Sequence, residues 1–197
     1  MRQFEQNALR ALNDHKVIAF PTETVYGLGV FYDDYEAYQY LNKIKGRPED
    51  KPYTMMLFDP EEISKYAYVN PKYQKMINMY MPGPLTILVK AKDNVPDYVT
   101  HDTKIVGIRV PDNIEATCLL LFVQKPLLVP SANKSGQKPA VTSGEVRAIF
   151  GNEVATIIPG NCKGGEPSTI VDLTGDEIKL IRKGPISLEE LNLLVEN

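Results

Sequence analysis

Apolar and polar residues follow one another along the chain with two periods, one typical of helices and one typical of short strands. A helix is predicted over residues 3–14, with an apolar face at Phe4, Ala8, Ala11 and Leu12. A strand is predicted over 17–20, and Pro21 begins a turn over 21–29 that contains hydroxyls, one carboxylate and two glycines. The chain therefore begins with a helix, a strand and a polar turn.

The second predicted helix begins after Asp33 or Asp34 and ends at Gly46, because glycine commonly terminates helices. Its apolar stripe consists of Tyr38, Leu41 and Ile44. Three cations follow at its end, Lys43, Lys45 and Arg47, where positive charge complements the helix dipole. The same run could instead hold an anionic ligand, since Pro48 stiffens the backbone that carries the planar donors of Arg47.

Further strands are predicted over 53–58, 85–90, 105–110, 127–129, 154–158, 169–173 and 178–182. Helix starts are predicted at Asp59-Pro60, Asn70-Pro71, Asp112, and at two capping boxes, Thr142 with Glu145 and Ser187 with Glu190. The turn 174–176 should pair the last two strands antiparallel. Some connections are too short for parallel crossovers, so we expect an α/β fold with a mixed sheet flanked by helices. With no internal repeat and no linker, residues 1–197 are predicted to form a single domain.

Composition indicates an ordinary globular protein. Of the 197 residues, 43% are hydrophobic and 24% are charged, which argues against a disordered or fibrous chain. The two cysteines, Cys118 and Cys162, fit no zinc spacing, so no dedicated metal site is expected. The longest strictly apolar run, 118–123, is too short to span a bilayer, and the N-terminus lacks the apolar core of a secretory signal. We therefore expect a cytoplasmic protein with no membrane segment.

The net charge and the absence of several standard motifs argue against some classes of ligand and enzyme. A formal charge of -3 does not indicate a nucleic-acid binder, although a local basic cleft is compatible with it. The turn Gly27-Leu28-Gly29 lacks the third glycine of a dinucleotide site, and no P-loop, GxSxG or HExxH sequence is present. Phosphate, if bound, must be held in another way.

Polar residues instead gather where predicted strands and helices end. Besides Lys45 and Arg47 they are Arg109, the loop that begins with Ser131 and Asn133, and the strand pair with Ser168 and Arg182. Each has an ordinary structural explanation, such as a turn hydrogen bond or a solvated strand arginine. Together, the four cations Lys45, Arg47, Arg109 and Arg182 could hold a triphosphate and a carboxylate.

Seven short segments of the chain are FPTETVYGLG (20–29), KGRP (45–48), PGPLT (82–86), GIRVP (107–111), PSANKSG (130–136), PSTIVD (167–172) and IRKG (181–184). They occur in the order found in the YrdC family, which the chain resembles from end to end. The resemblance implies a YrdC-like twisted mixed sheet with a deep basic concave cleft.

The resemblance also implies an enzyme that condenses L-threonine, bicarbonate or carbon dioxide and ATP into threonylcarbamoyl-AMP and pyrophosphate. That product serves a tRNA modification beside the anticodon, through a downstream threonylcarbamoyl transferase complex. Residue matching implies catalytic roles for Lys45, Arg47, Ser131 and Asn133, and ATP contacts from Arg47, Lys51, Asn133 and Arg182. By the same matching, threonine would contact Thr24, Arg109, Ser131 and Ser168. Mg²⁺ would arrive on the ATP phosphates, with no prosthetic group.

Two places depart from the family pattern. Met56 stands where relatives often carry a histidine that touches threonine, and 139–142 reads PAVT where relatives often have Ser-Pro-Thr, so no nucleotide contact is expected there. Two other functions remain open. The same cleft could serve a non-catalytic module that binds tRNA or double-stranded RNA, which salt-dependent RNA affinity without ATP turnover would indicate. Alternatively, the chain could resemble the YrdC-like domain of hydrogenase-maturation carbamoyltransferases, although it lacks their acylphosphatase and zinc-finger regions.

Overall fold

The fold is built around a twisted sheet, and a computed structural model describes residues 3–46, 52–164 and 166–195 of the chain. In these ranges the strands are β1 (Ile18–Phe20), β2 (Gly27–Phe31), β3 (Thr54–Met56), β4 (Ala67–Tyr68), β5 (Leu85–Ala91), β6 (Ile105–Arg109), β7 (Leu127–Leu128), β8 (Thr156–Ile157), β9 (Thr169–Asp172) and β10 (Lys179–Arg182). Their order across the sheet is β10-β9-β5-β6-β3-β7-β2-β1-β8, and β4 pairs with β5. The segments that are distant in sequence thus meet in the centre of one sheet.

Strand directions confirm the predicted mixed sheet. β1 and β8, β3 and β6, and β5 and β9 pair in parallel, whereas the other pairs are antiparallel. β9 and β10 form the antiparallel pair predicted from the turn between them. The short connections therefore produce hairpins, as expected, while the parallel pairs join elements far apart in the chain.

Helices lie before and between the strands. They are α1 (Gln3–Asn13), α2 (Tyr35–Lys45), α3 (Ile63–Tyr66), α4 (Gln74–Tyr80), α5 (Asp97–Thr100), α6 (Ile114–Val123), α7 (Ser143–Phe150) and α8 (Leu188–Asn192). Single 3₁₀ turns cover Pro60–Glu62, Pro71–Tyr73 and Gly151–Glu153. No helix among the described residues is long and apolar enough to cross a membrane.

Local capping chemistry accounts for the helix boundaries. Asp34 caps α2 by accepting a hydrogen bond from the amide of Ala37, and Gly46 ends the helix in the left-handed conformation. The predicted capping box of Ser187 with Glu190 is complete at α8. The prediction for α6 was wrong by one residue, because Asn113 rather than Asp112 supplies the cap.

The glycine-rich segment was wrongly predicted as a turn throughout. Its second half, Gly27–Gly29, belongs to strand β2, which pairs with both β1 and β7. Glycine is required here by close packing, since a Cβ on Gly27 would lie within 3.0 Å of the Val129 side chain and one on Gly29 equally close to Phe20. This contact between distant segments is invisible in the local pattern.

The hydrophobic core lies on both faces of the sheet in two clusters. The larger includes α2 and α4, and the smaller packs α1 and α6 against one face through Ala8, Leu12, Leu119 and Leu120. Phe4, predicted on the apolar face of α1, is 45% exposed and lies outside this packing. Both clusters hold the central strands in place, so the side chains at the strand ends have fixed positions.

Candidate functional site

A cavity of about 130 Å³ opens at one end of the central strands. Its floor is a row of side chains on four neighbouring strands. Met56 on β3 pairs with Arg109 on β6, and Thr86 on β5 pairs with Ile170 on β9. Because Ile87 pairs with Ile108, Thr86 and Arg109 share the opposite face of the β5–β6 ribbon. The row Met56, Arg109, Thr86, Ile170, called the floor row below, lies under the cavity.

The walls of the cavity come from loops that are far apart in sequence. They include residues before β2, before β3, after β7 and before β9, and one residue at the end of β10: Thr22, Tyr26, Tyr53, Pro130, Ser131, Pro167, Ser168 and Arg182. A cavity of this kind, with few polar groups converging over a packed sheet, is typical of a small-molecule site.

Arg109 is the buried cation at the centre of the floor row, with 5% of its surface exposed. Its Nη2 donates a hydrogen bond to the Thr24 hydroxyl at 3.0 Å, and its Nε donates to the Gly83 carbonyl at 3.3 Å. The hydroxyl of Thr24 also lies 2.9 Å from that of Thr22, which donates to the Val25 carbonyl. These contacts hold the guanidinium group in one orientation.

Glu23 supplies the opposite charge to Arg109, a role that sequence reasoning missed. Its Oε1 lies 2.8 Å from Arg109 Nη2, while both carboxylate oxygens are shielded from solvent. The contact lacks hydrogen-bond geometry, and no donor among the described residues meets that geometry at either oxygen. The two charges therefore interact by proximity, which matters because an unpaired charge in this position would be costly.

Ser168 and Arg182 form a second polar cluster on the same side of the cavity. Arg182 donates from Nε and Nη2 to the Ser168 carbonyl at 3.0 and 2.8 Å, and from Nη2 to the Ser168 hydroxyl at 3.0 Å. Although the residue as a whole is exposed, burial of its guanidinium group and, secondarily, the charge of Arg109 lower the pKa of Arg182. The two arginines thus repel each other beside the cavity, an arrangement that favours an anion.

Lys45 lies at the end of α2 with 2% of its surface exposed, underneath the loop that follows β7. Its ammonium group donates to the carbonyls of Ser131 and Asn133 at 2.5 and 2.7 Å. The amide of Ser135 donates to the Lys45 carbonyl, and Lys134 donates to the carbonyl of Ile44. The helix end and the loop are therefore fastened together.

Side chains within this loop satisfy one another. The Ser131 hydroxyl donates to Oδ1 of Asn133 at 2.5 Å, and the Asn133 amide group donates to the carbonyls of Lys134 and Gln137. Ser131 lines the cavity, whereas Asn133 is 8% exposed and shapes the loop. In this arrangement Asn133 acts on the site through the position of Ser131.

The structure thus brings together most of the residues predicted from the sequence. Arg109, Ser131, Ser168 and Arg182 line the cavity, while Thr24, Lys45 and Asn133 support them. Arg47 and Lys51 lie outside the described residues, so a deep basic cleft stays a prediction. Met56 occupies the floor row as an apolar neighbour of Arg109. Within the described ranges, no three His, Cys, Asp or Glu side chains are close enough to hold a metal ion.

Glu23 and Thr86 are the functional candidates that sequence reasoning missed. Thr86 is 1% exposed, and its hydroxyl lies 2.9 Å from that of Ser168. The sequence contained a signal for both, because Glu23 lies in segment 20–29 and Thr86 in segment 82–86, and both segments resemble the YrdC family. Their partners, however, are 86 and 82 positions away along the chain, so only folding reveals the contacts.

Gly184 should be essential for the wall that carries Ser168. A Cβ at this position would lie less than 3.0 Å from backbone atoms of Pro167, Ser168 and Thr169, which cannot move independently. We expect Gly184→Ala to lower the free energy of unfolding by about 1–3 kcal/mol through overpacking, measured by urea denaturation. Gly175→Ala is the matched control, since nothing lies within 4 Å of its added Cβ. Equal stability of the two variants would contradict this packing.

Comparison with known proteins places the fold and the site in context. The family model Sua5_yciO_yrdC, described as Telomere recombination, matches residues 10–184. A Pyrococcus abyssi protein named threonylcarbamoyl-AMP synthase is 33% identical over 186 residues, which cover 93% of this chain and 55% of that protein. A Vibrio campbellii protein of the same name is 33% identical over 188 residues, covering 93% of this chain and 100% of that protein. The chain therefore spans about half of the first relative and all of the second.

Solved structures agree with these matches. The crystal structure of P. abyssi Sua5 complexed with L-threonine superposes with a TM-score of 0.91 at 32% identity, covering 96% of this chain and 56% of that one. Escherichia coli YciO superposes with a TM-score of 0.87 at 29% identity, covering 95% of this chain and 92% of that one. Sequence and fold agree over nearly the whole chain, which therefore belongs to the Sua5/YciO/YrdC family.

Proposed function

We propose that the chain is an L-threonylcarbamoyl-adenylate synthase, a nucleotidyltransferase that forms threonylcarbamoyl-AMP from L-threonine, bicarbonate and ATP. The observation that carries this proposal is the buried Arg109 in the floor row, whose oriented guanidinium group suits the carboxylate of an amino acid. Family membership supports the same activity, because the P. abyssi and V. campbellii relatives bear that name.

The proposed reaction has two steps. The threonine amine attacks the carbon of bicarbonate and water is lost, which gives an N-carboxylate, or carbamate. A carbamate oxygen then attacks the α-phosphorus of ATP, the bond to the β-phosphate oxygen breaks, and pyrophosphate leaves. Such phosphoryl transfer depends mainly on alignment of the reactants and neutralisation of charge, so no nucleophilic side chain is needed.

The described residues suit these requirements. Arg109 would hold the threonine carboxylate, with Thr24 and Ser168 beside it. Ser131 would lie between the amino acid and ATP, at a position maintained by Lys45 and Asn133. Arg182, which also lines the cavity, would neutralise phosphate charge.

The ATP side of the proposal also includes residues outside the described ranges. Arg47 and Lys51 would contact the ATP phosphates, and Mg²⁺ would accompany ATP through its phosphate oxygens. These ATP contacts rest on the resemblance of the KGRP segment. The proposed cytoplasmic location and delivery of the adenylate to a tRNA-modifying transferase rest on the family as well.

Pyrophosphate release from the purified chain tests the proposal. With ATP and Mg²⁺ present, release should require both threonine and bicarbonate and should need no tRNA. Arg47→Ala should reduce the rate roughly 10²- to 10³-fold, as removal of one preorganised donor commonly does. Arg47→Lys should restore it only in part, since an ammonium group cannot reproduce a bidentate fork.

Two results would reject the proposal. Pyrophosphate release that does not depend on threonine would indicate another reaction. If a folded protein releases no pyrophosphate but binds RNA in a salt-dependent way, the RNA-binding alternative is favoured. Family relatives with a named activity favour the catalytic interpretation.

A further inference from the structure

The hydroxyls of Thr86 and Ser168 form a buried pair in the cavity. The two oxygens are 2.9 Å apart, and Thr86 is 1% exposed while Ser168 is 2% exposed. A buried hydroxyl is costly unless its hydrogen-bonding capacity is used. The bond between the two hydroxyls uses only part of their capacity, so the remaining part needs an explanation.

Counting protons gives that explanation. The pair carries two hydroxyl protons, and the bond between the two oxygens uses one of them. In the contact between Arg182 and the Ser168 hydroxyl oxygen, the arginine is the donor, so this contact uses neither hydroxyl proton. Among the described residues no acceptor takes the second proton, whichever hydroxyl carries it. The pair therefore keeps one hydroxyl proton for a ligand in the cavity.

Most other hydroxyls that line the cavity have already donated their protons. The exception is Thr54 on β3, whose hydroxyl has no hydrogen-bond partner among the described residues. Thr22 donates to the Val25 carbonyl and Ser131 to the Asn133 side chain. The Tyr26 hydroxyl contacts two backbone carbonyls, those of Ile158 and Gly160. These groups can accept a hydrogen bond from a ligand, but they have no proton left to give.

The location of the pair relative to Arg109 indicates which part of a ligand it meets. Neighbouring strands are about 4.8 Å apart, so Thr86 lies next to Arg109 in the floor row, within reach of a short amino-acid side chain. On the other side Met56 offers only apolar surface. An amino acid whose carboxylate rests on Arg109 can extend a short side chain toward Thr86.

We infer that Thr86 is a specificity-determining residue: paired with Ser168, it holds the one remaining hydroxyl proton of the pair where the side-chain hydroxyl of a β-hydroxy amino acid can accept it. This inference rests on the proposed function, which supplies an amino acid bound at Arg109. It explains how the site selects threonine over its isostere valine, since valine would leave the hydroxyl proton of the pair unsatisfied. A site that binds a substrate hydroxyl in this way can reject the analogue that lacks it by a factor on the order of 10⁴.

The experiment compares kcat/KM for threonine and valine, measured as amino-acid-dependent pyrophosphate release. Thr86→Val keeps the shape and removes the hydroxyl, so we expect roughly a 10- to 100-fold loss with threonine and little change with valine. Thr86→Ser keeps the hydroxyl and should retain the preference for threonine. Thr86→Ala serves as a second deletion of the hydroxyl if the valine variant does not fold.

Two control variants make the result specific. Thr100 is also 1% exposed and lies in α5, away from the cavity, so Thr100→Val should leave both values unchanged. Thr54 lines the cavity from β3, and Thr54→Val should keep the ratio of the two values. A collapse of the ratio in Thr54→Val but not in the Thr86 variants would assign the recognition to Thr54 and overturn the inference.

The same measurements separate failure of the inference from failure of the proposed function. If the wild-type chain shows no threonine-dependent release at all, the proposed function is wrong. If the wild type uses threonine but Thr86→Val or Thr86→Ala keeps the full preference over valine, the activity stands and the inference is wrong.

Discussion

Replacing Arg109 by glutamine should abolish most of the threonine-dependent turnover, with a loss of roughly 10²- to 10³-fold. Arg109 is the buried cation in the floor row, and three neighbouring groups fix its guanidinium orientation. Arg109→Lys should not restore the rate, because a point charge cannot reproduce the planar fork. The measurement is pyrophosphate release as a function of threonine concentration. Normal turnover in a folded Arg109→Gln variant would contradict the assigned role.

The same substitution should destabilise the protein through Glu23. Without Arg109, the shielded carboxylate would lack a counter-charge, which we expect to cost about 3–5 kcal/mol in unfolding free energy. Adding Glu23→Gln to Arg109→Gln removes the unpaired charge, so the double variant should recover most of the stability and none of the activity. Urea denaturation of all four proteins in this cycle provides the test. A double variant as unstable as the single one would show that Glu23 is not the charge partner.

Replacing Lys45 by methionine should reduce turnover about 10²-fold and destabilise the protein by about 3 kcal/mol. The buried ammonium group joins the end of α2 to the carbonyls of Ser131 and Asn133, and a methionine leaves both carbonyls without that donor. The position of Ser131 in the cavity should then become less defined. Hydrogen exchange at the Ser135 and Gln137 amides should increase, because their bonds depend on a docked loop.

Lys43 provides the matched control for this variant, since it is an exposed lysine in the last turn of the same helix. Lys43→Met changes the charge near the helix end by the same amount but removes no contact to the loop. We expect near-normal turnover and amide exchange for it. Equal effects of the two substitutions would mean that helix charge, rather than the connection to the loop, determines the behaviour of the site.

Local chemistry was enough to predict most helix ends and the hairpin of β9 and β10. Asp34 and Gly46 bound α2 because a side-chain acceptor and a left-handed glycine are properties of a few adjacent residues. The prediction failed at β2, where Gly27 and Gly29 look like turn residues but allow β7 and β1 to approach closely. That failure has a physical cause, because the space beside a glycine is determined by the segments packed against it.

For the candidate site, as for the fold, some features could be predicted from the sequence and others could not. The sequence by itself determined which chemistry is available: arginines for anions, a serine and asparagine loop after a buried strand, and no stock nucleotide motif. Seven short segments also determined the family, since their order is a property of the chain alone. None of this required contact between distant residues.

Only the tertiary structure decided how these groups act together. It paired Glu23 with Arg109, placed Thr86 against Ser168, and joined the side chain of Asn133 to the hydroxyl of Ser131. Each outcome depends on strand register and on the balance of donors and acceptors inside a closed space. A charge or hydroxyl acquires its role when burial removes water, because it must then find its partner in another part of the chain.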